Sequence, residues 1–286
     1  MIFAARFTRS LALSLPLLAA ACGPAGAAQA PPAPAVAVPF RALDPQNTLV
    51  IDTSKGRVVV ELYPQLVPEH VARIKALAAK GFYDGLVFFR VIDDFMAQTG
   101  DPQNDGKGGS DMGNLKGQFI VRRGADLPFA SVGKVGASEG GFVGALPVMS
   151  QASGLMAMTA DGKVNAYPLF CPGVAGMARA GDPDSADSQF FLMRQRSVNL
   201  EQKYTAWGRV VSGLEVVRAI NVGEPPANPD RMTKVRLAAD LPAAERPNVQ
   251  VADTNSPAFK ANVAAAQAAQ GASFNLCEVD VPSQGK

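Results

Sequence analysis

Few side chains in this 286-residue chain could carry acid–base, nucleophilic or metal chemistry. The only histidine is His70, in a helical pattern beside Glu69. A solvent-facing position is expected there, and without a second histidine or a thiolate cluster a metal site is not expected. A serine triad would need His70 as its base, and nothing nearby resembles a nucleophile elbow. The glycine-rich runs 106–109 and 136–144 lack the Gly-Lys-Ser/Thr ending and the strand-loop-helix setting of a phosphate cradle, so they read as turn glycines. Asp93-Asp94 and the acidic run 182–187 fall in apparent turns, where carboxylates usually serve Asx hydrogen bonds, so acid–base catalysis by paired carboxylates is weakly supported. What remains is Arg90, set among Phe88, Phe89, Val91 and Ile92 in the stretch 81–109. It is either an edge residue whose stem snorkels to water or a donor held over an apolar pocket.

The elements that must position Arg90 are legible on both sides of it. Residues 86–92 and 95–99 alternate around Asp93-Asp94 as two short strands with a tight turn. Upstream, 48–52 and 56–63 form a hairpin around Ser54-Lys55-Gly56, and Pro68 opens a helix through about Ala79 that Gly81 ends. Residues 110–169 are rich in Gly, Ser and Met with weak periodicity: either a functional insertion or a region whose elements are not readable. Patterning returns as strands at 173–178, 188–194 and 206–211, a short helix at 214–220 and a strand at 234–241. In the tail, 257–270 is alanine-rich and helical, while 274–281 alternates like a strand. No solenoid-length repeat is visible. The expected fold class is all-β with two helices, closed on itself as a barrel or sandwich.

At 48% apolar and 18% charged the chain can bury a full core, and a net charge of +2 offers no argument for nucleic acid as a partner. Residues 1–30 read as a secretory signal: Arg6 and Arg9, then the apolar run 11–21, then small residues. Cleavage near residues 28–30 would discard Cys22. The run Leu18-Ala19-Ala20-Ala21-Cys22-Gly23 instead resembles a lipoprotein signal, with Cys22 as the lipid anchor, and is slightly preferred. Residues 31–47, rich in Pro and Ala at their start, read as a tether. Export leaves Cys171 and Cys277 as a pair in an oxidising compartment, where a disulfide is expected; the alternative is two buried thiols.

The run Phe89-Arg90-Val91-Ile92-x-x-Phe95-Met96-x-Gln98-x-Gly100-Asp101, then Gly106-x-Gly108-Gly109, resembles the signature of cyclophilin-type peptidyl-prolyl isomerases. Pro172-Gly173-Val174-x-x-Met177-Ala178-x-Ala180, Ser188-Gln189-Phe190-Phe191 and Trp207-Gly208-Arg209-Val210 follow in that family's order. The resemblance spans roughly 48–241, with 110–169 as an insertion and 242–286 as a C-terminal extension. It implies a closed eight-stranded antiparallel barrel with a helix at each open end. It also implies that Arg90 is the catalytic arginine and that Phe95, Met96 and Phe191 line a proline pocket rimmed by Leu200. Gln98, Gln189 and the backbone near Ala178 would hold the peptide, with Gly106, Arg179 and Tyr204 beside it.

Phe95, Met96 and Phe191 could equally be barrel core. Gln98 and Gln189 say more, because an amide on an apolar strand needs a partner that a peptide backbone could provide. Asn199 stands where the family often has an aromatic residue, Tyr204 where animal members have His, and Arg179 where Asn is usual. Strong cyclosporin binding is therefore not expected, and peptide preference is expected to differ. The implied activity is proline isomerisation in exported polypeptides, by a monomer without metal or cofactor, in the periplasm or cell envelope. The alternative is a catalytically weak peptide- or protein-binding module.

Overall fold

The valine-rich hairpin 48–62 carries apolar residues on both faces of its pleat, which requires a covering layer on each side. The computed structural model describes residues 36–285. Cys22, the signal-like segment and the first part of the tether lie outside the described residues. In chain order the strands are β1 (Phe40–Ala42), β2 (Thr48–Thr53) and β3 (Gly56–Leu62), then helix α1 (Pro68–Ala79). Next come β4 (Arg90–Val91), β5 (Met96–Thr99), β6 (Val121–Arg123), β7 (Phe129–Val135), β8 (Ser138–Val143), β9 (Leu146–Ser150) and β10 (Val164–Pro168). Then follow β11 (Val174–Met177), β12 (Phe190–Met193), β13 (Ala206–Ser212), α2 (Leu214–Ala219), β14 (Met232–Leu237), β15 (Gln250–Ala252), α3 (Pro257–Gln270) and β16 (Ser283–Gln284).

An eight-stranded sheet in the order β14-β2-β3-β13-β11-β12-β5-β4 forms the main layer, and all its pairings are antiparallel. Its interior is filled by large side chains such as Trp207, Tyr83, Phe88 and Phe190. Tyr83 meets Phe190, and Phe190 meets Trp207, edge to face at 5.4 Å each. Such pairs add about 0.5–1.5 kcal/mol beyond the area they bury.

The expected closed barrel is corrected by the ladder, which curls but remains open between β4 and β14. The strand expected over 86–92 shrinks to Arg90–Val91 because the chain before it turns to the seam. There Gly85 and Phe88 donate to the carbonyls of Met232 and Asp230, and Val87 forms only an isolated bridge with Arg231. Pro225, Pro226 and Pro229 on the opposite side have no N–H to extend a ladder.

Two helices pack with this sheet over the ranges expected, and α3 in the tail is a third. The segment 110–169, expected to be either a functional insertion or a region of unreadable elements, contains a five-stranded sheet in the order β6-β10-β9-β8-β7. Gly140 and Gly141, expected in turns, lie inside β8. A Cβ on Gly141 would come within 2.6 Å of Ala130 O, so close strand approach demands glycine there. The tail residues 274–281 are also corrected: Leu276–Glu278 is a 3₁₀ turn, not part of a strand.

This sheet and the tail supply the outer layer that the hairpin requires. Val59 packs with Ala145, Val249 and Val251, Val50 packs with Ala238 and Leu241, and Phe142 meets Phe259 of α3 edge to face. β1 joins β15 and β16 in a small separate sheet. Cys171 and Cys277 are disulfide-bonded across 106 residues, tying the tail to the residue before the β11 region.

His70 is the largest departure from expectation for a single residue: it is fully buried, not on the surface. The segment 115–118 crosses its helix face, and Nε2 lies 2.8 Å from Lys116 O. Burial holds the imidazole pKa below its ordinary value, against the opposing pull of that carbonyl.

Candidate active site

Strand register assembles the site. Arg90 of β4 pairs with Gln98 of β5, Gln98 with Phe191 of β12, and Phe191 with Gly176 of β11. Directly paired residues point to the same face of a sheet. One row across four strands therefore presents a guanidinium, an amide, an aromatic ring and a bare backbone. The bare position is needed: a Cβ on Gly176 would lie 2.6 Å from Phe191 Cζ and 2.7 Å from Phe170 Cε1.

The turn between β4 and β5 is held from behind. Arg194 is buried and donates to Asp93 Oδ1 (2.5 Å), to Ile220 O (2.9 Å) and to Arg218 O (2.8 Å). It thus ties the turn beside Phe95 to the last carbonyls of α2, a favourable place for a cation.

Beside the row lies a cavity of about 100 Å³ lined by Arg90, Phe95, Met96, Gln98, Ala178, Arg179, Phe191, Leu200 and Tyr204. Met96, Phe191 and Leu200 are buried while Phe95 and Tyr204 are half-buried, so these residues pack the core and also face the cavity. A second hollow of about 420 Å³ shares Gln98, Ala178 and Arg179 with the first and continues past Gly106, Gly108, Asn114, Ser185 and Gln189. All the expected substrate-binding residues thus line one of two adjoining hollows.

The two amides do not wait for a ligand. Arg90 Nη1 donates to Gln98 Oε1 (3.3 Å), Gln98 Nε2 to Gln189 Oε1 (3.0 Å), and Gln189 Nε2 to Gly108 O (2.8 Å). This chain satisfies groups that would otherwise cost free energy on burial. Ala178 N–H is likewise taken, by Gln189 O (2.9 Å). The partner that Gln98 and Gln189 were expected to need, and that a peptide backbone could provide, is found within the protein itself.

The far wall is built by side chains. Arg179 lies 4.5 Å from the Tyr204 ring centroid and 5.7 Å from that of Phe119, and donates to the carbonyls of Lys203 and Ala180. Phe119 belongs to the segment 110–120, which is fastened along the groove. Leu115 N–H donates to Ala186 O (2.7 Å), Gly117 N–H to Asp184 Oδ1 (2.9 Å) and Gln118 N–H to Thr205 Oγ1 (3.0 Å).

Two carboxylates anchor the loops between the walls. Asp101 is buried and accepts from Gln103, Asp105 and Gly106 N–H. Asp187 accepts from Ser110 and pairs with buried Arg73 of α1, which also donates to Gly113 and Met112 carbonyls. Sequence reasoning assigned no role to Arg73, Phe119 or Glu224, quoted Asp101 in the signature without a role of its own, and gave Asp187 only a turn role. Asp101 stands inside a motif and Asp187 next to one, which was a usable signal; Glu224, whose Oε2 accepts from Arg90 Nε at 2.7 Å, lies 134 residues away and carried none.

Among the described residues no three His, Cys, Asp or Glu side chains gather as metal ligands would. No helix among them is long and apolar enough to cross a membrane.

Residues 48–237 match the family of cyclophilin-type peptidyl-prolyl cis-trans isomerases. A probable peptidyl-prolyl cis-trans isomerase of Brucella suis is 36% identical over 204 residues, covering 70% of this chain and 86% of that protein. A peptidyl-prolyl cis-trans isomerase of Schizosaccharomyces pombe is 30% identical over 172 residues, covering 60% of this chain and 83% of that one. The crystal structure of a cyclophilin from Hirschia baltica superposes with a TM-score of 0.77 at 33% identity, covering 86% of this chain and 92% of its own. The chain belongs to the cyclophilin-type peptidyl-prolyl cis-trans isomerase family, and its fold is the cyclophilin fold, mostly β with few helices.

Proposed function

We propose that Arg90 accelerates rotation about X–Pro bonds by stabilising the twisted imide, with no covalent intermediate and no cofactor. The observation that carries this reading is the placement of one guanidinium at the edge of a small cavity whose mixed lining includes Phe95, Met96, Phe191 and Leu200, with Nη1 bound to the amide row.

The physical need is specific. Amide resonance raises a barrier of about 18–20 kcal/mol to rotation. Twisting the bond localises a lone pair on the prolyl nitrogen, and a donor aimed at it interacts more strongly with the twisted state than with either planar one. Phe95, Met96, Phe191 and Leu200 would hold the ring and exclude water, which strengthens that interaction. Gln98, Gln189, Gly106 and Ala178 would align the flanking peptide, with Arg179 and Tyr204 on the other side.

The substrates proposed are proline-containing segments of exported proteins, met by a monomer in the periplasm or cell envelope. Support comes from the signal-like start of the chain and from a disulfide, which persists in an oxidising compartment. Lipidation of Cys22 would add membrane anchoring.

The test is a chymotrypsin-coupled assay of the mature chain on an Ala-Pro peptide, with Arg90→Ala alongside. Acceleration by the wild type that is lost in the variant supports the proposal. Peptide binding without acceleration by the wild type would replace it with a binding module, and localisation is checked separately by fractionation and mass analysis of Cys22.

A further inference from the structure

The tightest hold on Arg90 comes from outside the row of strands. Gly223 both donates to and accepts from Val91, at 2.9 and 2.8 Å, which stitches the loop 221–231 to the residue after Arg90. Pro225 and Pro226 then restrict the backbone. Asp230 closes the loop by accepting from Asn221 N–H (2.9 Å) and Ser54 Oγ (2.6 Å). Glu224 projects from this stiffened loop and takes Arg90 Nε at 2.7 Å, whereas Gln98 is reached by Nη1 only at 3.3 Å. The arginine side chain is 40% exposed and would otherwise sample many rotamers. Anchors on Nε and Nη1 fix the guanidinium plane. Nη2 has no hydrogen-bond partner among the described residues and is left to donate.

We propose that Glu224 is a positioning residue that holds the Arg90 guanidinium in its reactive plane. This rests on Arg90 being the acting group. An exposed pair of this kind adds little to stability, so its effect should fall on turnover and not on folding.

The experiment measures kcat and KM on an Ala-Pro peptide, and thermal midpoints, for Glu224→Ala and Glu224→Gln. Each is made in the wild-type and Arg90→Ala backgrounds. Glu224→Ala is expected to lower kcat about three- to fivefold with KM held within about twofold. Glu224→Gln keeps an acceptor at the same reach and should recover most of the loss. In the Arg90→Ala background Glu224→Ala should change nothing. Wild-type or raised kcat in Glu224→Ala, beside an inactive Arg90→Ala, overturns the role of Glu224 and leaves Arg90 standing. Equal losses in both backgrounds, or a fallen midpoint, would make Glu224 structural and overturn the proposal. An active Arg90→Ala would remove the reading beneath it.

Discussion

The two walls of the groove are built by different means. The wall carrying Arg90, Gln98 and Phe191 is set by ladder register, where each position follows from its neighbours through backbone hydrogen bonds. The wall carrying Arg179, Tyr204 and Phe119 is set by side chains that reach backbone carbonyls and rings across long sequence distances. A ladder repeats every two residues, so its faces leave a pattern in the sequence. Side-chain clasps leave none, and the second wall is free to change without disturbing the first.

That contrast can be broken most forcefully at Arg73. Arg73 is buried and its ion pair with the mostly buried Asp187 holds the loop 110–113; Arg73→Leu leaves that carboxylate with only Ser110 as donor and should cost about 2–4 kcal/mol. Urea unfolding gives the loss, and hydrogen exchange should show the 110–120 segment released while β4 and β5 stay protected. Equal loosening of both walls would mean that they are not separately built.

Next in size is the Cys171–Cys277 bond. Opening a loop of this length should cost about 2–5 kcal/mol. In Cys277→Ser, protection of α3 and β15 should fall while turnover on a short peptide is kept, because the bond ties the tail and not the ladder wall. Lost turnover would show that the accessory layer supports the site directly.

A smaller effect is expected at Arg179. A partly exposed cation over a ring is worth about 0.5–1 kcal/mol. Arg179→Ala should therefore shift KM a few-fold, most for peptides with acidic residues, with kcat unchanged. A kcat defect without a KM change would place Arg179 with Arg90.

The smallest concerns His70. Its folded pKa is lowered by burial, so below the ordinary histidine pKa of about 6.5 the unfolded chain binds the proton more readily. Stability gained from neutral His70 is complete above that value and falls as pH drops through it towards the folded pKa. Denaturant midpoints of wild type and His70→Gln at pH 7.5 and 5.5 should differ, with the variant less sensitive to acid. Identical sensitivity would contradict the assignment.

The same physical distinction explains what could be read in advance. The helix over 68–79 shows its proline start and its apolar spacing, and α3 shows its proline start and alanine content; both fall where expected. The two strands flanking Asp93-Asp94 were legible, but their register was not: a two-residue turn would set Arg90 opposite Ala97, whereas Phe95 joins the turn, Ile92 pairs with Met96, and Arg90 comes to face Gln98. Gly140 and Gly141 misled because a glycine chosen for close strand approach looks the same as one chosen for a turn. His70 misled because the chain that covers it arrives from residue 116. Phe274–Val281 alternates, yet its apolar residues join the core, with Phe274 and Leu276 beside Val135, Met149, Tyr167 and Leu169, and Leu276–Glu278 forms a 3₁₀ turn in place of a strand. Glu224 was invisible because its meaning lies in a contact across 134 residues, not in a period.

The most direct test of the account is exchange spectroscopy on an Ala-Pro peptide at equilibrium, which reads binding and cis–trans exchange separately in one sample. For Arg90→Ala, peptide affinity should stay close to wild type and enzyme-driven exchange should slow by about 10²–10³-fold, the usual loss for one preorganised donor. Exchange at the wild-type rate in that variant, with the peptide bound, would contradict it.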